Sequence, residues 1–358
     1  MLTRKILVIY PQVNDTKIGV FQNNSWVFFK TIKLDKALAQ SNEEVLEQEG
    51  SRTDQILHEL KENDIKLSEI EIVIGRGGLV KPIKSGIYEI NEALKNDLRQ
   101  ESKMHETNLG GLIADRIASM IPQARAFLSD PVVVDEMDAL AKVSGHPMFE
   151  RKSIFHALNH KFAGRNYANS INRQYNELNL IIAHVGEGGI SVGAHSKGKV
   201  VDVNQAYDGD GPFSYTRAGN IPYGDLIDVC FSGKYQRSDL RKMLVHEGGL
   251  MAHLGTNNIN LIESMIKEGN EKAAFILKAM AYQLAKEIGS MYVVLENPIE
   301  AIILSGNIFQ SKFFTEEVKR RILKLGNVII SPFVSDMDAL ADSAMMIIKD
   351  EAEILEYK

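Results

Sequence analysis

Two arginines in this chain stand among glycines. Gly75-Arg76-Gly77-Gly78 follows a short apolar run, Ile70 to Ile74, and Thr216-Arg217-Ala218-Gly219 closes a loop that opens with Asp208-Gly209-Asp210-Gly211-Pro212-Phe213-Ser214. A guanidinium in such a spot is a surface charge or an anion clamp. Strand-end position and flanking glycines favour the clamp for Arg76, because open α/β sheets place their ligands at strand ends. The planar fork binds phosphoryl or carboxylate oxygens in pairs and stays charged. Between the two arginines, His184-Val185-Gly186-Glu187-Gly188-Gly189 leaves an apolar run, Leu178 to Ala183. Its three glycines let backbone N–H groups turn inward, as a loop does around a phosphate. Asp130 precedes Pro131 where Ala126-Phe127-Leu128 ends, as a turn former or as a catalytic carboxylate. His156 and His160 lie at i and i+4 on one helical face. No third ligand is evident for zinc, so they read as histidines packed along a cleft.

The elements that position these groups repeat. Lys5 to Ile9, Thr16 to Phe21 and Ser25 to Phe29 read as three strands, and so do Leu178 to Ala183, Ile190 to His195 and Lys199 to Val203. Lys5, Thr16 and Ser25 fall on Asn179, Ile190 and Lys199 with one constant offset and no gap, and Gly19 falls on Gly193. The expectation is a duplicated α/β domain whose two hairpin loops face each other across a cleft and grip a nucleotide's phosphates. Helical spacing marks Asn42 to Asn63, with Ile56 and Leu60 toward a core, and Leu112 to Met120, preceded by a His105 to Gly111 segment and stopped by Pro122. It also marks Lys272 to Ile288, where Leu277, Met280, Ala281 and Leu284 are core positions, and Asp336 to Asp350. Asn327 to Ile330 reads as a strand and Glu351 to Lys358 as a solvated tail.

Composition narrows the class. A chain of 358 residues exceeds what one core usually serves, so two domains are expected. A net charge of -6 without a basic cluster argues against nucleic acid as a partner. The single cysteine, Cys230, forms no internal disulfide and suits a reducing compartment. No apolar run reaches the length of a membrane span and Met1 to Ile9 lacks a signal peptide's features, so a cytoplasmic location is expected.

Several longer stretches carry a resemblance that covers nearly the whole chain. Gly75 to Ile83, Asp130 to Met137, Arg151 to Asn159, Asp208 to Phe213, Phe231 to Tyr235 and Ala279 to Gly289 resemble the butyrate kinase family. That family is similar to acetate kinase and shares the duplicated fold of actin, sugar kinases and heat-shock chaperones, each half on a five-stranded sheet of the ribonuclease H type. The resemblance implies ATP-dependent, Mg²⁺-assisted phosphorylation of butyrate or a related short-chain fatty acid to an acyl phosphate, by a homo-oligomer. It implies that Arg76 and Arg217 hold the acyl carboxylate and the transferred phosphoryl, that Asp130 positions substrate or metal, and that His156 and His184 donate to phosphate oxygens. It further implies that Thr16, Lys17, Gly186, Gly188, Gly189 and Ser191 contact the phosphates, that Gly306 and Asn307 stand in the adenosine turn, and that Asp336 serves Mg²⁺. For Asp336, capping of its own helix is an equal alternative.

The chain departs from the family in its loops. Tyr10-Pro11-Gln12-Val13-Asn14-Asp15-Thr16-Lys17 stands where the family begins Asn-Pro-Gly-Ser-Thr-Ser-Thr-Lys, and Glu187 reads as an additional residue among the glycines. Ser305-Gly306-Asn307 replaces Thr-Gly-Gly, and Asp336 replaces a glutamate. A relative that binds acyl ligand or nucleotide without efficient turnover is therefore the alternative. The expected domains are 1–155, with 340–358 returning to it, and 156–339.

Overall fold

The computed structural model describes residues 5–34, 45–100, 105–186, 188–331 and 335–358. The chain divides into two compact units, Met1–Val134 with Ser335–Lys358, and Asp135–Val334. The division thus falls at Val134, where the sequence leads one to expect 155. Side chains of the intervening segment explain why. The Glu136 carboxylate accepts from Lys161 Nζ (2.6 Å) and from the Val200 amide (2.9 Å), and Arg151 donates to Asp202 (2.9 Å). These contacts fasten it to the second unit.

Among the described residues the strands are β1 (Lys5–Pro11), β2 (Asp15–Gln22), β3 (Ser25–Lys33), β4 (Ile70–Arg76), β5 (Ile87–Glu89), β6 (Arg125–Ser129), β7 (Asn179–Gly186), β8 (Gly189–Ser196), β9 (Lys199–Val203), β10 (Ala301–Ser305), β11 (Val328–Ser331) and β12 (Ile354–Leu355). The first sheet runs β12-β5-β6-β4-β1-β2-β3 and the second β11-β10-β7-β8-β9. In each, an antiparallel three-strand meander feeds parallel neighbours: β1 pairs β4 as β7 pairs β10, and β4 pairs β6 as β10 pairs β11. The duplication extends to register. Val8 opposes Gly19 where Ile182 opposes Gly193, and a bulge falls between Val20 and Phe21 as one does between Ala194 and His195. A shared bulge at the same offset is the imprint of one ancestral unit, since bulges re-aim a strand and are retained as features.

The first sheet has seven strands rather than five. β5 and β12 extend it past β6, and they account for the tail expected to be solvated: Ile354 pairs Ile87, and Tyr357 is buried with its hydroxyl on Asp97. The helix expected from Leu112 begins at Glu106, capped by His105, so Gly110 and Gly111 are helical. Their reason is proximity. A Cβ on Gly110 would lie 2.4 Å from the Arg76 carbonyl oxygen, and one on Gly75 would lie 2.0 Å from that of Gly110. Only two glycines allow this helix and β4 to touch backbone to backbone.

Each unit buries its own core. In the first, Leu7, Ile9 and Val73 pack with Ile56 and Leu60 of helix Gln48–Glu62 and with Leu109, Leu112 and Ile113. In the second, helix Glu271–Val294 lays Leu277, Met280, Ala281, Leu284 and Ile288 on one face of the sheet, against Ile181, Ala183, Val192 and Leu304. Helix Ala157–Ser170 covers the other face through Ala163 and Ala168. Burying each such aliphatic side chain contributes about 1.5–3 kcal/mol, so both sheets are held as rigid platforms. No helix among the described residues is long and apolar enough to cross a membrane.

Candidate active site

The glycine turn of the second unit is built by β7 and β8, whose last and first residues, Gly186 and Gly189, pair across it. Glu187 lies outside the described residues. Gly189 has φ +133°, and a Cβ there would lie 2.3 Å from the Ala206 carbonyl oxygen, so no other residue fits. Two imidazoles lie against Gly186. A Cβ on Gly186 would come within 2.9 Å of His156 Nε2 and 3.1 Å of His184 Nε2. The two rings are 4.8 Å apart. His184 Nδ1 is 2.8 Å from the Ser305 hydroxyl, at the strand pair that joins β7 to β10. The turn after β10 is drawn in equally close, because Gly306, at φ +112°, would place a Cβ 2.2 Å from the Val185 carbonyl oxygen. Asn307 follows it, exposed.

Arg217 completes this corner. Its Nε donates to the Gly188 carbonyl (3.1 Å) and its Nη1 to that of Val245 (2.6 Å), while its guanidinium lies over the Tyr207 ring at 5.0 Å. Only 9% of it is exposed, and no carboxylate pairs with it among the described residues. Burial lowers its pKa, but a guanidinium keeps its charge throughout the physiological range. The Asp208 carboxylate acts on it only from beyond ion-pair contact, and a buried cation whose direct partners are carbonyl dipoles is stabilised when an anion arrives.

Ser191 and Thr16, expected to contact the phosphates, are both buried, with their hydroxyls engaged by neighbouring side chains. The Ser191 hydroxyl is fully buried between His156 Nδ1 (2.8 Å) and His160 Nε2 (2.9 Å). His160 Nδ1 is in turn 3.0 Å from His195 Nε2, whose ring stacks on it. Burial pushes the pKa of both His160 and His195 well below the usual imidazole value, so both are neutral. Thr16 in the first unit is also buried, and its hydroxyl accepts from Arg52 Nη1 (2.9 Å). Arg52, fully buried on helix Gln48–Glu62, also donates to the Asp15 carbonyl and to Gln48. It is a brace for the β1–β2 turn that sequence reasoning passes over.

In the first unit Arg76 is the last residue of β4, paired with Ser129. Its guanidinium lies 4.5 Å from the centroid of the Tyr10 ring, and Lys17 lies over the same ring at 6.0 Å. Tyr10, which stands where the family has asparagine, is thus a shelf under Arg76. Asp130 adopts φ +39° and accepts through Oδ1 from the Ser85 hydroxyl (2.6 Å) and the Gly86 amide (2.8 Å). A positive φ in a non-glycine residue costs about 1–3 kcal/mol and tends to mark functional corners. Asp336 sits half-buried in the first turn of helix Asp336–Ile348, whose N-cap is Ser335.

The donors fit a polyphosphate: imidazole edges, a cradle that a side chain at Gly186 would fill, and a buried arginine with no carboxylate in ion-pair contact among the described residues. The fit to Mg²⁺ is narrower. No group of three or more His, Cys, Asp or Glu able to hold a metal occurs among the described residues. Asp15 Oδ1 is buried without a hydrogen-bond partner, and Asp336 is a second single carboxylate. Such a set suits an ion carried by the nucleotide's oxygens and water.

These features define an actin-like duplicated fold with a glycine turn lined by two imidazoles and an arginine. It superposes on acetate kinase from Porphyromonas gingivalis (TM-score 0.79, 17% identity, covering 96% of this chain and 100% of that one). It is similar to a propionate kinase from Francisella tularensis (TM-score 0.76, 16% identity, 95% and 98% covered) and to acetate kinase from Entamoeba histolytica (TM-score 0.73, 15% identity, 95% and 99% covered). The chain belongs to the acetokinase family, whose profile matches residues 140–352, more than half its length.

Proposed function

We propose that this protein is a butyrate kinase, transferring the γ-phosphoryl of ATP reversibly to the carboxylate of butyrate or a related short-chain fatty acid. The observation that carries the reading is Arg217, buried beside the glycine turn with carbonyl partners and, among the described residues, no carboxylate in ion-pair contact. Family membership supports the carboxylate-kinase class. The chain length of the acid rests on the stretches that resemble butyrate kinases.

A carboxylate needs no base to attack, being ionised at neutral pH; it needs alignment and relief of repulsion between two anions. Arg76 takes the carboxylate, its fork fixed by the Tyr10 ring. As the new O–P bond forms and the bond to the β-phosphate oxygen breaks, Arg217 and the Nε2 edges of His156 and His184 stabilise charge on the transferred phosphoryl. Asp130 holds the Ser85–Gly86 turn next to the strand end that bears Arg76. Asp336 would contribute to holding Mg²⁺, which neutralises the nucleotide's phosphates when bound.

A second reading, a relative that binds its ligands without efficient turnover, is favoured by one feature: Thr16, among the few family residues surviving at the start of β2, is buried against Arg52. Trapping acyl phosphate as hydroxamate with ATP and each straight-chain acid from acetate to valerate tests both readings. The expected result is turnover with the highest kcat/KM for butyrate or a neighbour in chain length. Acetate as best substrate refutes the chain-length assignment, and binding without product favours the second reading.

A further inference from the structure

A row of side chains leads away from the glycine turn through the interior of the second unit. His156 Nδ1, the Ser191 hydroxyl, His160, His195 and the Tyr175 hydroxyl form one unbroken series, with separations of 2.8, 2.9, 3.0 and 2.5 Å. The three middle members are fully buried, while His156 and Tyr175 at the ends are only partly so. Phosphoryl transfer does not use His160, His195 or Tyr175 directly.

The chemistry of the row makes it all-or-none. A neutral imidazole has one N–H donor and one bare nitrogen, and a serine hydroxyl has one proton. Burial keeps His160 and His195 neutral. With His156 neutral as well, Ser191 donates to one histidine and accepts from the other, and the contact between His160 Nδ1 and His195 Nε2 requires a proton on one nitrogen only. Each choice fixes the next, so the row has two polarities. In one, the Tyr175 O–H donates to His195 Nδ1, His195 Nε2–H donates to His160 Nδ1, and His160 Nε2–H donates to Ser191. Ser191 then donates to His156 Nδ1, which leaves the His156 proton on Nε2. In the other, every bond is reversed and a neutral His156 carries its proton on Nδ1, leaving Nε2 a bare acceptor. A phenol is a good donor to an imidazole nitrogen and a poor acceptor from one, which favours the first polarity.

We propose that Tyr175, His195, His160 and Ser191 are positioning residues that lock His156 in its Nε2–H tautomer, so that it presents a hydrogen-bond donor to the phosphoryl group at the Gly186–Gly189 turn. The direction of His156 Nε2 supports this, since it lies beside the Cβ positions of Gly186 (2.9 Å) and Gly188 (3.3 Å). An acceptor at that atom would repel phosphate oxygens; a donor attracts them. The catalytic consequence rests on the carboxylate-kinase reading, but the tautomer does not.

The test is ¹⁵N–¹H correlation spectroscopy on protein labelled at histidine nitrogens, with His156 assigned by substitution, on wild type, Tyr175→Phe and Ser191→Ala. Tyr175→Phe keeps the ring that packs on Gly164 and removes only the terminal donor. The expected wild-type pattern is a single Nε2–H tautomer at His156, replaced in both variants by a mixture of tautomers. Because this readout needs no substrate, it stands even if no acyl phosphate is formed. Kinetically, Tyr175→Phe should lower kcat about three- to tenfold with little change in KM for ATP. An Nδ1–H tautomer in wild type, or a His156 pattern unchanged in both variants, overturns the lock. An altered tautomer with kcat within twofold of wild type overturns its part in catalysis.

Discussion

Replacing Tyr10 by asparagine separates what the sequence suggests from what the structure shows. By sequence, asparagine restores the family residue and should improve the nucleotide site. In the structure the Tyr10 ring, 6% exposed, lies 4.5 Å beneath the Arg76 guanidinium and 6.0 Å from Lys17. A cation–π contact of this kind is worth about 0.5–2 kcal/mol. If that energy holds the Arg76 fork in its productive orientation, losing it costs roughly 2- to 30-fold in kcat/KM for the carboxylate. Emptying the ring's volume adds a stability loss of about 3 kcal/mol. Tyr10→Phe keeps the ring face and should stay within about threefold of wild type. The assay is initial-rate kinetics varying butyrate at saturating Mg·ATP, with thermal melting to confirm folding. A folded Tyr10→Asn protein that matches or exceeds wild type, or a Tyr10→Phe protein as impaired as Tyr10→Asn, would refute the shelf.

Arg217→Ala should lower kcat roughly a hundredfold or more, the size expected for a lost electrostatic partner of the transition state, and unchanged kcat removes Arg217 from the mechanism. Glu287 gives a stability prediction, because burial, followed by the charges of Asp210 and Asp202, raises its pKa from 4.5 to about 7 against the opposing pull of Arg151 and Lys286. The unfolded chain ionises this group first, so the stability contributed by Glu287 is fully present below about pH 4.5, falls as pH rises to 7, and stays lost above it. At about 1.4 kcal/mol per unit the loss approaches about 3 kcal/mol. Denaturant melts of Glu287→Gln should lack this decline and show a more stable protein at pH 8; parallel pH profiles for the two proteins would contradict it. We also expect at least a dimer, consistent with exposed Phe275, Tyr282 and Val293 along helix Glu271–Val294. Sedimentation at micromolar concentration showing only a 39.9 kDa species would exclude it.

The duplication was legible because strand alternation and one constant offset survive in local sequence, down to Gly19 and Gly193. The glycine turn and Arg217 were legible for the same reason: glycine and charge in a loop are local signals. What the sequence hid depends on distant partners. Arg52 reads as an ordinary helix charge until the fold brings it to Thr16 and Asp15. Ser191 falls in an expected strand, but only the fold shows its hydroxyl lying between two histidines. Tyr175 belongs to no motif, and nothing in its neighbourhood along the chain signals the bond to His195. β5 and β12 leave no mark in the sequence, because short strands carry little periodicity and depend on Tyr357 being buried beside them.

The most direct measurement follows oxygen. Butyrate labelled with ¹⁸O in both carboxylate positions, incubated with the protein and Mg·ATP, is followed by ³¹P NMR and mass spectrometry. Attack by the carboxylate on the γ-phosphorus predicts butyryl phosphate with ¹⁸O in the bridge between carbon and phosphorus, formed in step with ADP. ADP accompanied only by inorganic phosphate without ¹⁸O, or no consumption of ATP, would contradict the assignment of this protein as a butyrate kinase.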